Sequence, residues 1–366
     1  MKTFRIEAAA AALIAASVAP AFSQSAIVKV QFTPTGMIDV IPTGISDDGK
    51  IVVGVGPYGA PNLLYTQAGG VSVIGDGCTS GLMTISGDGS TIVGCNVDAN
   101  GSWNTAKWLG GTSWLDLGSE AGAVPCDVFL SGPWAVTQDG SMVTGLLWLS
   151  QICKAAAGTW DLVGGGPATK LPLLVPGSAS RGNAISDNGT VIAGWQDDTF
   201  GSRRAAKWVN GVGEFITGPG IDFLGEALAI SGDGRTIIGI GYNGGREAWV
   251  SREGEGIYPI SSPADGDYVP LDLTDDGRMV IGLARDPVTG FSRAWVWSQG
   301  KGVSMLEDFL RQRRADVPAG WTFNVASVIT PDGKTLYGWG VNPQGFIEMF
   351  RIDTGGGAPT ITLQQK

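Results

Sequence analysis

No histidine occurs anywhere in this chain of 366 residues. That absence removes Ser-His-Asp and Cys-His nucleophilic catalysis, His-ligated zinc and imidazole acid–base work together. Charge is scarce too: charged side chains make up 16% of the residues, and the formal net charge is −10. An acidic chain repels phosphate backbones, so nucleic acid is excluded as a natural partner. Only four cysteines are present, and no two are close enough for a Cys-x-x-Cys metal or redox site. No P-loop occurs, and no Gly-x-Gly-x-x-Gly opens a helix after a strand. Beyond the first residues no apolar run reaches the length of a membrane span, about 20 residues.

The start of the chain reads as an export signal. Lys2 and Arg5 precede an apolar stretch from Ala8 to Val18, and Ala21 and Ser23 suit cleavage before Gln24. Residues 1–23 are therefore expected to be removed, leaving residues 24–354 as one folded unit and 355–366 as a Gly-rich flexible tail. Loss of Lys2, Arg5 and Glu7 from totals of 24 basic and 34 acidic residues would make the mature chain slightly more acidic. An even number of cysteines fits an oxidising compartment. Cys78 and Cys95 flank one copy of the repeat described next, and Cys126 and Cys153 flank another. If each pair lies on two strands of a hairpin, the bridges are Cys78–Cys95 and Cys126–Cys153.

What the chain has in abundance is glycine, 58 residues, and much of it is periodic. The pattern Ser/Thr, any residue, Asp/Asn, Gly, four residues, Gly occurs seven times. Its turn glycines are Gly49, Gly89, Gly140, Gly189, Gly234, Gly277 and Gly333. These lie between 40 and 56 residues apart, the spacing of propeller blades. The fifth copy shows the grammar: Ala227–Ser231 is a strand, Asp233-Gly234 a tight turn, Thr236–Ile240 the returning strand, Glu247–Ser251 a third and Gly256–Ile260 a fourth. The expected fold is all-β, a seven-bladed β-propeller of four-stranded antiparallel blades. The seventh repeat lacks an outer strand, while Gly36–Ile41 matches one. The N-terminal strand should therefore complete the last blade and close the ring. Ile27–Phe32 is a further strand without an assigned place.

The third strand carries a second register mark, Ala-x-x-Trp or a relative of it: Trp108, Trp160, Trp208 and Trp297, with Tyr65, Ser251 and Phe350 at the equivalent place in the other repeats. One large ring per blade fills the wedge between sheets, and the glycine five residues after each turn is expected to make room for it. The acidic turns need no metal, because each offers one or two carboxylates where a calcium loop needs about six oxygens. Asp accepting from turn amides accounts for them. Neither a metal nor a cofactor is expected. Leu306–Ala315 breaks the pattern. Leu306, Phe309 and Leu310 form the apolar face of a short helix, expected to cap one face of the ring. Arg311, Arg313 and Arg314 lie on its other side, as a solvated edge or a docking site for an acidic ligand.

These marks resemble the HAF-repeat family of bacterial extracellular proteins. The likeness covers nearly the whole mature chain. It is most specific at Gly320-Trp321-Thr322-Phe323 and from Ile329-Thr330-Pro331-Asp332-Gly333 to Trp339-Gly340-Val341-Asn342-Pro343. A weaker likeness is to WD-repeat strands. The resemblance implies export and a repeat-built β-structure, and it brings no catalytic residues.

In such a ring, the segment leading into each innermost strand rims the central channel. Six residues before each turn glycine stand Thr43, Met83, Trp134, Asn183, Leu228, Leu271 and Ser327. Arg181, Glu226, Tyr268 and Asp272 lie close by. Trp134, Arg181, Asn183 and Glu226 are the candidate ligand-binding residues. The expected protein is secreted or periplasmic and monomeric, and acts as a non-enzymatic binding or scaffold module for a protein or a glycan. The alternatives are a carbohydrate-active hydrolase or lyase with paired carboxylates at the channel mouth, and a passive envelope protein.

Overall fold

The computed structural model describes residues 31–38, 40–56, 61–78, 80–149, 153–218, 225–241, 248–260, 267–286 and 288–355. The export segment 1–23, the first part of the Ile27–Phe32 strand and the tail beyond Gly355 lie outside the described residues. So does the start of the third strand of the fifth repeat.

The chain first enters β1 (Gln31–Ile38). Blade 1 follows as β2 (Ile41–Ile45), β3 (Ile51–Val55), β4 (Asn62–Thr66) and β5 (Gly70–Gly75), and blade 2 as β6 (Thr84–Ile85), β7 (Ile92–Val97), β8 (Trp103–Gly110) and β9 (Ser113–Gly118). Blade 3 is β10 (Ser131–Val136), β11 (Met142–Leu149), β12 (Lys154–Asp161) and β13 (Thr169–Lys170); blade 4 is β14 (Ser180–Ile185), β15 (Val191–Asp197), β16 (Arg203–Val209) and β17 (Val212–Phe215). Blade 5 is β18 (Glu226–Ile230), β19 (Thr236–Ile240), β20 (Ala248–Arg252) and β21 (Gly256–Ile260); blade 6 is β22 (Asp267–Leu273), β23 (Met279–Arg285), β24 (Ser292–Ser298) and β25 (Gly302–Met305). After the helix α1 (Leu306–Gln312), blade 7 is β26 (Thr322–Ile329), β27 (Thr335–Val341) and β28 (Ile347–Asp353), with β1 as its fourth strand. The protein is a seven-bladed propeller whose last blade is completed by the N-terminal strand.

The closing strand starts earlier than the sequence suggested. Gln31 to Pro34 pair with Asp353 to Phe350, and the register shifts before Ile38 meets Glu348. Gly36 sits at φ +69° within that shift, and its N–H donates to Glu348 Oε1 at 2.8 Å. Ile41, expected in the closing strand, already opens the innermost strand of blade 1. Gln31 and Phe32 of the unassigned strand belong to β1.

All seven repeated turns are built alike. In blade 5 the Ser231 hydroxyl donates to Asp233 Oδ1 at 2.7 Å and accepts from the Thr236 N–H at 2.9 Å. Asp233 Oδ1 in turn accepts from the Arg235 N–H at 2.9 Å. The fourth residue must take a positive φ, and the seven turn glycines lie between +61° and +77°. In every turn one oxygen of the Asp or Asn side chain thus accepts from a turn amide, as local side-chain hydrogen bonding predicts.

The apolar core is divided among the seven blade interfaces. One cluster joins blades 1 and 7 through Val52, Leu63, Val328 and Tyr337, and equivalent clusters fill the other six junctions. The wedge aromatics are there: Trp160, Trp208, Trp249, Trp295 and Phe350 are all buried. Their register corrects the sequence alignment. Trp160 and Trp208 lie two residues past the partner of the repeat glycine. Trp249, Trp295 and Phe350 lie directly opposite theirs. Phe350 therefore does not hold the Trp208 position; Ile352 does.

The repeat glycine has a different first cause from the aromatic. In six blades the innermost strand carries a one-residue bulge, and the glycine of the second strand packs against it. A Cβ at Gly54, Gly145, Gly194, Gly239, Gly282 or Gly338 would overlap a backbone carbonyl of that strand. The third-strand ring is an additional neighbour of Gly239, Gly282 and Gly338, and in blade 2, where the bulge is missing, the nearest neighbour of Gly94 is the fourth-strand ring of Trp114.

The helix α1 buries Leu306, Phe309 and Leu310 in the cluster between blades 6 and 7, so it plugs a junction rather than covering the ring. Arg313 folds back over Phe309, 3.6 Å from the ring centroid, and Arg311 pairs with Asp308 at 2.6 Å. Among the described residues no helix is long and apolar enough to cross a membrane.

Candidate functional site

The bulges determine what faces the channel. The residue left without a cross-strand partner is Thr43, Trp134, Asn183, Leu228, Leu271 or Ser327 in the six bulged blades. These are the positions six residues before the turn glycines. A bulge re-aims its side chain, and all six line the central channel, a cavity of about 260 Å³. The seventh expected residue, Met83, does not. Its strand β6 has only two residues, Met83 is buried among Val53, Ile74 and Ile85, and Leu82 lines the channel instead. Tyr268 is not at the rim either; it is buried, its ring 5.9 Å from that of Trp295. Asp272 does face the channel, accepting from the Ile329 and Leu273 N–H groups, both at 2.8 Å. Burial in the ring pushes its carboxyl up to about 7, and Asp275 adds to the rise.

At the mouth where the innermost strands begin, called upper here, the four candidate residues meet. Arg181 donates from Nε to Asn183 Oδ1 at 2.5 Å and from Nη2 to Glu226 Oε2 at 3.0 Å. Asn183 Nδ2 donates to the same Glu226 oxygen at 3.1 Å and to the Ala227 carbonyl at 2.7 Å, crossing from blade 4 to blade 5. The Arg181 guanidinium lies 4.3 Å from the Trp134 ring centroid. Burial lowers Arg181 to about 10; Glu226 works against the fall and Arg203 adds to it. The side chain keeps its charge at neutral pH.

Three further residues complete this wall. Trp195 is the cross-strand partner of Arg181. Arg181 lies 5.5 Å from its centroid and Arg203 3.9 Å. Arg203 also approaches Glu226 Oε1 at 3.6 Å. Two cavities open here. One of about 640 Å³ is lined by Phe129, Trp134, Trp148, Lys154, Arg181 and Trp195, among others, and one of about 600 Å³ by Glu226, Leu228 and Val269. Asp197 and Arg203 border both. Burial raises the Asp197 carboxyl, and Arg203 and Lys154 oppose that rise. The sequence reading missed Trp195, Arg203 and Trp148. The Arg181–Trp195 pairing was available from the hairpin register that sets Gly182 across from Gly194.

Both expected disulfides are present, Cys78–Cys95 and Cys126–Cys153. They do not bridge the two strands of a hairpin. Cys78 and Cys126 lie in the segments leading into blades 2 and 3, and each bond ties such a segment to its blade. Cys126 exchanges backbone hydrogen bonds with Phe129 at 2.9 and 3.0 Å, and both Phe129 and Cys153 border the larger cavity.

The lower mouth, on the turn side, differs. Asp47, Gln138, Asp187 and Asp275 line it, and burial raises both Asp47 and Asp187. Gln138 Nε2 donates to Asp47 Oδ2 at 3.3 Å, and the Gly232 N–H to Asp275 Oδ1 at 2.8 Å. Among the described residues no group of three or more His, Cys, Asp or Glu could hold a metal ion.

No family model matches the sequence, and no curated protein matches it either. Solved structures do. The Cps50 (Swd1) β-propeller domain of Myceliophteria thermophila is 12% identical, with 87% of this chain and 99% of that one covered and a TM-score of 0.53. The Kuenenia stuttgartiensis hydrazine synthase is 11% identical over 87% and 96%, TM-score 0.50. A putative TolB from Agrobacterium tumefaciens is 12% identical over 88% and 96%, TM-score 0.45. Identities this low speak to the fold alone. The class defined by fold and site is a seven-bladed β-propeller with a cationic, tryptophan-walled upper mouth.

Proposed function

We propose that the protein is an exported, non-enzymatic binding module that takes a protein or a glycan at its upper mouth. One observation carries the reading. Trp134, Arg181, Asn183 and Glu226, from three blades, interlock beside a cavity of about 640 Å³. A rigid scaffold presenting aromatic and charged groups around a concavity is the usual anatomy of a recognition site. Glu226 is engaged by Arg181, Asn183 and Arg203, which suits an orienting role better than proton transfer. Export to the periplasm or medium is supported by the leader and the two disulfides, and the HAF-repeat likeness agrees with it. The mature chain should begin at Gln24 and run as a monomer.

The hydrolase or lyase alternative draws on Asp47, Asp187 and Asp275, three carboxylates facing one narrow channel at the lower mouth. The two readings separate by mutation. In a glycan array and an envelope-protein pulldown, Trp134→Ala and Arg181→Ala should each weaken capture by about tenfold or more. Asp47→Asn and Asp187→Asn should leave it intact. Capture unchanged in both upper-mouth variants would mean that the site lies elsewhere.

A further inference from the structure

The chain is acidic overall, yet the larger upper cavity is lined by Lys154, Arg181 and Arg203 against the single carboxylate of Asp197. These cations are not equivalent. Arg181 is committed: its side chain is 19% exposed, it is bonded to Glu226 and Asn183, and Trp134 lies under it. Arg203 is 42% exposed and its contact with Glu226 is long at 3.6 Å. Lys154 is exposed, and its Nζ donates to the Gly177 carbonyl at 2.8 Å, leaving two of its three donors. Stacking on Trp195 holds Arg203 in place. Two accessible cations therefore stand at one edge of the cavity.

Its wall is aromatic. Trp195 is occupied by the two guanidiniums and Trp134 gives one face to Arg181, but Trp134 and Trp148 are both half-buried and line the cavity. Phe129 stands beside Trp148, centroids 6.2 Å apart. Leu146, Ala155 and Ala179 add the aliphatic part of the lining. The volume lies within the range of about 300–1,000 Å³ typical of small-ligand sites.

We propose that this cavity takes a carboxylated sugar, a uronic-acid unit of an acidic glycan. This rests on the reading of the upper mouth as a recognition site. Arg203 and Lys154 take the carboxylate, and Trp134 and Trp148 pack against the C–H faces of the pyranose ring. An acidic peptide would use the cations and leave the rings idle; a neutral sugar would do the reverse.

Titration calorimetry on the mature protein separates these cases, with trigalacturonate, the matching neutral galactose trisaccharide and triglutamate as probes. Trigalacturonate should bind saturably, about tenfold or more tighter than either other probe. Arg203→Ala and Lys154→Ala should bring it down to the level of the neutral trisaccharide, and Trp148→Ala should weaken it while the melting temperature stays near that of the parent. Equal binding of the neutral trisaccharide overturns the carboxylate assignment. Equal binding of triglutamate overturns the sugar. No saturable trigalacturonate binding overturns the inference as a whole. The upper-mouth reading survives each of these outcomes if Trp134→Ala or Arg181→Ala weakens capture of another ligand, and fails only if both variants capture as the parent does.

Discussion

At the scale of single residues, the repeat glycine is the most informative position, because it reports on a strand it does not belong to. Gly194 faces the Arg181 carbonyl so closely that a methyl group could not fit. Gly194→Ala should push β14 away, shift the bulge and move Arg181 and Asn183 together. The expected cost is about 1–3 kcal/mol, typical of overpacking, with loss of ligand capture. Chemical denaturation and the capture assay check both, and an unchanged midpoint would show that the carbonyl yields freely. Asp272 makes a second prediction. Its carboxyl is raised in the folded ring from an ordinary 3.8 to about 7. The folded protein therefore keeps a proton that the unfolded chain releases between these values. Stability from this group is complete below about pH 4, falls as pH rises through that window and levels off above it. Asp275 is the charged neighbour that adds to the rise, and the Ile329 and Leu273 amides oppose it. The melting temperature of the parent should drop more between about pH 5 and about pH 8 than that of Asp272→Asn. Parallel profiles would assign the proton to another group.

At the scale of elements, the upper cavity depends on a covalent tie. Cys126–Cys153 fixes the segment that carries Phe129 to the start of β12, which carries Lys154. Replacing both cysteines by Ala should cost about 2–4 kcal/mol and weaken ligand capture, because two walls of the cavity lose their common anchor. The same double replacement at Cys78 and Cys95 should cost comparable stability and leave capture nearly unchanged, since only Ser80 and Gly81 of that region border the cavity. Equal loss of capture in both pairs would make the effect one of general loosening. How far these elements were legible in the sequence follows from what each depends on. The seven turns were readable because their chemistry is local: a hydroxyl, a carboxylate or carboxamide and a glycine within four residues. The cysteine pairs were readable from their place in the repeat, though the geometry joining them is not a hairpin. Trp134 and Asn183 were found by counting back from Gly140 and Gly189, because a constant bulge keeps that count constant, and Arg181 and Glu226 were picked as charged residues close to the counted positions. Met83 broke the count where β6 is too short to bulge. Trp195, Arg203 and Trp148 were not found, because they lie at the far ends of second and third strands. Only the pairing register brings those ends to the mouth, and register is a property of two strands together.

At the scale of the whole molecule, the ring is held by contacts that pass from blade to blade. On the turn side the Asp47 N–H donates to the Gly87 carbonyl at 2.8 Å, the Asp88 N–H to Gln138 at 3.0 Å, the Asp187 N–H to Gly232 at 2.9 Å and the Asp275 N–H to Pro331 at 3.0 Å. The Tyr337 hydroxyl donates to the Gly49 carbonyl at 3.1 Å across the junction of the last and first blades. Six junctions join blades consecutive in the chain. The seventh joins the two ends of the chain, where an apolar cluster with Val52 and Tyr337 does the packing and β1 completes the hydrogen-bonded sheet. The two contributions can be separated. A chain beginning at Asp39 keeps Val40, Val52 and the whole junction cluster but loses β1, so the edge of β28 is left with unpaired N–H and C=O groups. Such an edge is a template for another strand. The shortened chain should therefore still fold, melt several degrees lower and self-associate through β28 to a mass above that of the parent. Light scattering on the eluted peak reads the mass, and a peptide matching residues 31–38 should return the shortened chain to the parent's association state by filling the vacant place. A shortened chain that keeps the parent's mass and melting temperature would show that the apolar junction alone closes the ring, with β1 only lying on a blade already complete without it.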